Sequence, residues 1–150
     1  LMRPNDIAIE NIYKEATSRG IGKERIVFAE FMNINDHLAR HLCGDLFLDT
    51  FNYNAGVTAT NALWAGLPFI TLLGKSLCAR TAASILSACD LKELVTQNES
   101  EYEELAYTLA TDTEKLNTIK KKIKDKASCS FYDSQKFTND LEYIFQNLID

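Results

Sequence analysis

Residues 49–71, DTFNYNAGVTATNALWAGLPFIT, compress a strand end, a small-residue turn, a short helix and a second strand into one stretch. A helix start of this kind turns unbonded backbone N–H groups and the positive end of the helix dipole outward, which suits a phosphate. Thr58 stands at that start with a hydroxyl, after Gly56 and Val57, and Asn61 follows within the first turn. The chemistry on offer is anion binding by backbone donors, one hydroxyl and one amide. Every strand-to-helix turn has such a start, so plain turn chemistry accounts for these residues equally well.

Other chemistry-bearing residues are weaker candidates. Gly74-Lys75-Ser76 has the ending of a P-loop, but the glycine required five residues before the GK pair is Phe69, so a polar turn is the better reading. His37 and His41 are four apart and would share a helix face, yet no glutamate adjoins the first histidine, so a zinc site is not expected. Asp45 and Asp49 flank an apolar run and could be proposed as acid and base; aspartates at strand ends are more often turn residues. No GxSxG nucleophile signature is present. Residue types alone give no catalytic constellation.

The elements that must position these residues alternate. Pro4-Asn5-Asp6 opens a helix with Ile9, Ile12, Tyr13 and Ala16 on one face, and Gly20 closes it. Arg25–Ala29 reads as a strand, Asn33 or Asn35 caps a helix to about Cys43, and Leu46–Leu48 reads as a second strand. A helix over 58–65, stopped by Gly66, leads to a third strand, Pro68–Leu72, and to a helix faced by Ala79, Ala82, Ala83 and Leu86. Strands joined by helices through short connections imply right-handed parallel βαβ units, with apolar strands covered on both faces. Strand signals stop at about residue 90. Ser100-x-x-Glu103 reads as a capping box for a helix bearing Tyr102, Leu105, Ala106 and Leu109. Helices through Ile119 and Ile123, and through Phe137, Leu141, Ile144, Phe145 and Leu148, complete a C-terminal helical tail. One domain is expected, with βαβ units over 1–90 and the tail over 91–150.

Composition bounds the partners. At 46% hydrophobic and 25% charged residues the chain is globular rather than disordered. A net charge of −5 argues against nucleic acid. The basic run KLNTIKKKIKDK, 115–126, carries Leu116, Ile119 and Ile123 at helical spacing and reads as a solvated helix face. No apolar run is long enough for a bilayer, and LMRPNDIAIE lacks the pattern of a signal peptide. Leu1-Met2-Arg3, with no Met at position 1, looks like the tail of a strand from a longer chain. Cys43, Cys78, Cys89 and Cys129 form no CxxC pair, so reduced, partly buried thiols in a cytoplasmic protein are expected.

Residues 25–84 carry a resemblance. RIVF, the histidine of NDH, DLFLDTF followed by Tyr53 and Asn54, ALWAGLP, and the later Ala79-Arg80 with Ala82-Ala83-Ser84 resemble the catalytic C-terminal portion of O-linked N-acetylglucosamine transferases and their SPINDLY-like relatives. Tyr102-Glu-Glu-Leu-Ala and the 131–141 region are similar to that family's tail. The resemblance implies a GT-B architecture, with this chain as the latter part of its Rossmann-like donor-binding domain plus closing helices. It implies transfer of a sugar, GlcNAc, from UDP-GlcNAc to serine or threonine of an acceptor protein, with inversion, no cofactor and no essential metal. The acceptor groove and further catalytic groups would lie in a preceding half, so no catalytic residue is assigned here.

By the same resemblance, His37 stacks on uracil and backbone groups near Met32 read the uracil edge. Ile34 occupies the place of a family lysine. Where the family reads His-Thr-Thr and then Asp, this chain reads Gly56, Val57, Thr58 and then Asn61. Replacing two charge-assisted contacts weakens donor binding by roughly 2 to 4 orders of magnitude unless something compensates. The alternative is a degenerate, non-catalytic GT-B module kept for protein interaction.

Overall fold

The computed structural model describes residues 1–124 and 129–148. The chain divides into two compact units, Leu1–His37 and Leu38–Asp150.

In the first unit, helix α1 (Asp6–Ser18) begins where Asn5 accepts a hydrogen bond from the Ala8 N–H at 2.9 Å and ends before Gly20, whose φ of 77° few other residues tolerate. Tyr13 meets Phe28 edge-on, with centroids 5.5 Å apart. The strand expected over Arg25–Ala29 does not form. A 3-10 turn occupies Lys23–Arg25, and the extended residues beyond it make a single parallel bridge, Met2 to Ala29. Only one side of this ribbon is sheltered: Ile26 and Phe28 are half-buried while Val27 is 73% exposed. Its apolar residues favour extension, and three backbone hydrogen bonds tie it to the first residues of the chain: Leu1 N to Val27 O, Ala29 N to Leu1 O and Arg3 N to Ala29 O. Helix α2 (Ile34–Arg40) opens at Asn33, whose Oδ1 accepts from the Asp36 N–H at 3.1 Å. His41 falls in a following 3-10 turn, so the two histidines do not share one α-helix.

The second unit holds a three-stranded parallel sheet in the order β1 (Phe47–Leu48), β2 (Phe69–Leu72), β3 (Val95–Thr96). Phe47 pairs with Phe69, Leu48 with Ile70, Thr71 with Val95 and Leu72 with Thr96. Strand β3 lies past residue 90, where none was expected. Two residues between a 3-10 turn and the next helix are too few to show a period, and β2 supplies the pairing. Helices α3 (Val57–Ala65), α4 (Thr81–Ala88) and α5 (Glu99–Thr111) pack against β2, whose Phe69, Ile70 and Thr71 are wholly buried. Leu63, Leu86, Leu91, Leu94, Leu109, Leu116 and Ile119 extend this core into the tail.

The fold class expected from sequence holds: an α/β parallel sheet with a helical tail, α5, α6 (Thr113–Lys124) and α7 (Ser134–Asn147). The capping box falls two residues earlier than expected. Asn98 accepts from the Glu101 N–H, and Glu101 accepts from the Gln97 N–H. Leu116, Ile119 and Ile123 are buried along α6, as their spacing predicts, with the lysines outward; residues 125 and 126 of the basic run lie outside the described residues. Helix α7 buries none of its side chains.

The cysteine expectation is corrected. Cys89, capping α4, and Cys129 form a disulfide across a separation of 40 residues, while Cys43 and Cys78 are exposed free thiols. Pairing follows the meeting of Cα atoms at 4.4 Å, which spacing in the sequence does not encode. No helix among the described residues is long and apolar enough to cross a membrane.

Candidate functional site

The loop from β1 to α3 is rigidly fastened. Asp49, at its head, is buried, and its Oδ1 accepts from the N–H groups of Thr50 (2.8 Å) and Ala55 (2.7 Å). Its Oδ2 accepts from the Thr71 hydroxyl at 2.7 Å. Its carbonyl accepts from the Tyr102 hydroxyl at 2.8 Å. Burial, and secondarily the Asp49 charge, push the Tyr102 phenol up to about 12, so it remains a donor throughout the physiological range. Asn54 continues the brace, its N–H donating to Cys78 O and its Nδ2 to Thr50 O. Asp49 is thus a turn residue with its carboxylate fully engaged. Asp45 is exposed and paired with Lys120 at 2.8 Å. Neither is placed as an acid or base.

This brace delivers Gly56 as the first cap of α3. Gly56 has φ −103° and offers no side-chain cap, so the helix start keeps its donors. Arg80, the cap of α4, likewise makes no side-chain capping bond. Both starts face one cleft of about 700 Å³, lined by Gly56, Val57, Thr60, Leu77, Arg80, Thr81, Ser84, Ile85 and Phe131. Its lining is three hydroxyls, apolar side chains and one cation, with no carboxylate. Arg80 makes no ion pair among the described residues. Two outward dipole ends and a guanidinium without an acidic neighbour create a positive potential suited to an anion with an apolar or hydroxylated body.

Of the residues singled out from sequence, Gly56 and Val57 line this cleft. Thr58 is exposed on the first turn of α3, and Asn61 is half-buried on the same helix; neither lines the cleft. Met32 and His37 belong to the first unit, Met32 exposed ahead of α2 and His37 half-buried within it. Arg80, Thr60, Thr81, Ser84 and Phe131 were not anticipated as lining. Arg80 and Ser84 lie inside the stretch that carries the family resemblance, and that was the available signal. Gly74 closes the turn after β2: its N–H donates to Ala79 O at 2.8 Å, and a Cβ there would stand 2.4 Å from the Ala79 Cβ. With Ser76 Oγ accepting from the Ala79 N–H, the GKS sequence is a turn. No cluster of metal-ligating side chains occurs among the described residues.

A parallel sheet with two helix starts and an arginine opening on one cleft defines an α/β scaffold with a candidate ligand site at its helix starts. Residues 1–141 match the profile of glycosyl transferase family 41, and the chain belongs to that family. It is 33% identical over 134 residues to the UDP-N-acetylglucosamine–peptide N-acetylglucosaminyltransferase of Caenorhabditis elegans, covering 89% of this chain and 12% of that protein. It is 31% identical to the probable enzyme SEC of Arabidopsis thaliana (85% of this chain, 13% of that one). A solved structure of a point mutant of the Thermobaculum terrenum O-GlcNAc transferase superposes with a TM-score of 0.89 at 29% identity, over 95% of this chain and 28% of that one. The chain therefore spans a small part of the length of the relatives it matches.

Proposed function

We propose that this chain forms the UDP-sugar-binding portion of a protein O-glycosyltransferase, with UDP-GlcNAc as donor and serine or threonine of an acceptor protein as its target. The single observation that carries this reading is the pair of uncapped helix starts, α3 and α4, opening on one cleft beside Arg80. The diphosphate would lie against the N–H groups of Val57 and its neighbours, with Arg80 supplying the charge that Gly56, Val57 and Ile34 lack. His37 and Met32 would serve the uracil, and Thr58 and Asn61 the phosphate and ribose. In transfer, the cleft would stabilise negative charge building on the departing UDP, an electrostatic contribution that needs no proton transfer by this chain. The acceptor groove and catalytic groups would come from the rest of the polypeptide, so the chain alone would not turn over. A cytoplasmic setting, where nucleotide sugars and protein acceptors meet, accords with this reading.

Calorimetric titration of UDP into the protein tests it, with His37→Ala and Thr58→Ala as variants. The reading expects binding that both substitutions weaken. Absence of binding by any uridine nucleotide would instead leave a module kept for protein interaction.

A further inference from the structure

We propose that the Cys89–Cys129 disulfide is a redox tether for one wall of the cleft. It joins the end of α4 to the residue before the 3-10 turn Ser130–Tyr132. Two other fastenings hold that turn to α3. The Tyr132 hydroxyl donates to Thr60 O at 3.1 Å, and the Tyr132 ring meets Trp64 edge-on at 5.3 Å. Phe131, between the tether and Tyr132, lines the cleft. Helix α7, which follows, buries no side chain and so adds little anchorage of its own. Among the described residues, the disulfide, this hydrogen bond and this ring pair, with the edge-on contact of Phe131 and Tyr132, fasten the turn that carries Phe131.

Opening the tether requires two electrons and two protons from an external thiol reductant. Its thiolate attacks the sulfur of Cys89, the less buried partner, and the Cys89–Cys129 bond breaks as the mixed disulfide forms. Cys129 leaves as a thiolate and takes up a proton. A second thiol of the reductant then displaces Cys89, which is protonated in turn, and the reductant departs as its own disulfide. Oxidation reverses the sequence. Once open, the turn separates more readily from α3, Phe131 retreats and the cleft loses part of its wall. The consequence for ligand affinity rests on the donor-site reading; the tether itself does not.

Trp64 is the single tryptophan of the chain and touches the tethered turn, so its emission reports the state of the tether. In the 150-residue chain purified under air, maleimide alkylation is expected to label the exposed Cys43 and Cys78 while Cys89 and Cys129 stay joined as a linked peptide. After a dithiol, all four are labelled and Trp64 emission moves to longer wavelength. Cys89→Ser gives the long-wavelength emission with or without reductant at unchanged helical circular dichroism, and Cys129→Ser repeats the readout from the other end. UDP binds about tenfold more weakly to the reduced form, the scale of leaving one or two wall side chains to be ordered by the ligand. Labelling of Cys89 and Cys129 without reductant overturns the tether, as does emission that ignores reduction. Equal UDP affinity in both forms overturns control of the cleft. Failure of UDP to bind either form, with the labelling and emission as expected, overturns the donor-site reading and leaves the tether standing.

Discussion

Among the described residues, five α-helices begin on an acidic or amide side chain and two do not. Asn5, Asn33, Asn98, Asp112 and Asp133 each accept from an N–H in the first turn of α1, α2, α5, α6 and α7, at 2.9 to 3.1 Å. Helices α3 and α4 begin at Gly56 and Arg80 without such a bond, and both line the same cleft. A side-chain cap is worth about 1 kcal/mol, so leaving two starts open costs stability that an ordinary surface helix has no reason to forgo. The capped helices spend their donors on the fold. The uncapped pair make no side-chain cap and border the cleft where the proposed anion would take their donors.

The largest effect is expected at Asp49, which fixes the loop delivering the uncapped start. Asp49→Ala removes the acceptor for two backbone N–H groups and the Thr71 hydroxyl, so a loss of about 3 kcal/mol or more is expected in denaturant unfolding. Arg80→Ala should weaken UDP binding by roughly 10- to 100-fold through loss of one charge-assisted contact, with the thermal midpoint unchanged. A fall in stability without loss of binding would make Arg80 a structural residue. Gly56→Asp converts α3 into a capped helix. The nearest atom to a Cβ there is Thr81 Cγ2 at 3.9 Å, so the side chain fits. A gain of a few tenths of a kcal/mol in stability, alongside loss of UDP binding of about tenfold or more from the added carboxylate, is expected. Improved stability with undiminished binding would break the contrast between the two groups of helices. Asn98→Ala should do the reverse: about 1 kcal/mol of stability lost by thermal melting and no change in UDP affinity.

Where local residues decide an element, the sequence is readable. The short α3 is bounded by Gly56 and by Gly66 at φ 90°, both visible as glycines, and Leu116, Ile119 and Ile123 mark the buried face of α6. Where tertiary pairing decides, it is not. Arg25–Ala29 has a strand's composition but, among the described residues, makes one isolated bridge, whereas Val95–Thr96 has almost no pattern yet pairs with β2. Asn98 and Ser100 each precede a glutamate by three residues, and the spacing rule accepts both. The end of β3 at Thr96 leaves Asn98 in the extended conformation, φ −148°, that a cap requires. At the site, the α3 start was legible because a turn ending in Ala55-Gly56 follows an apolar run. Arg80 was not singled out, since an exposed arginine at a helix start gains meaning only when a second helix start closes a cleft around it.

Comparing UDP with uridine tests the central claim most directly, because the two differ only in the diphosphate that the open starts of α3 and α4 are proposed to hold. By calorimetry at low salt, the account predicts that UDP binds at least about tenfold tighter than uridine, and that the difference narrows with added salt and in Arg80→Ala. Equal affinity for the two, or a difference that salt and Arg80→Ala leave untouched, would contradict it.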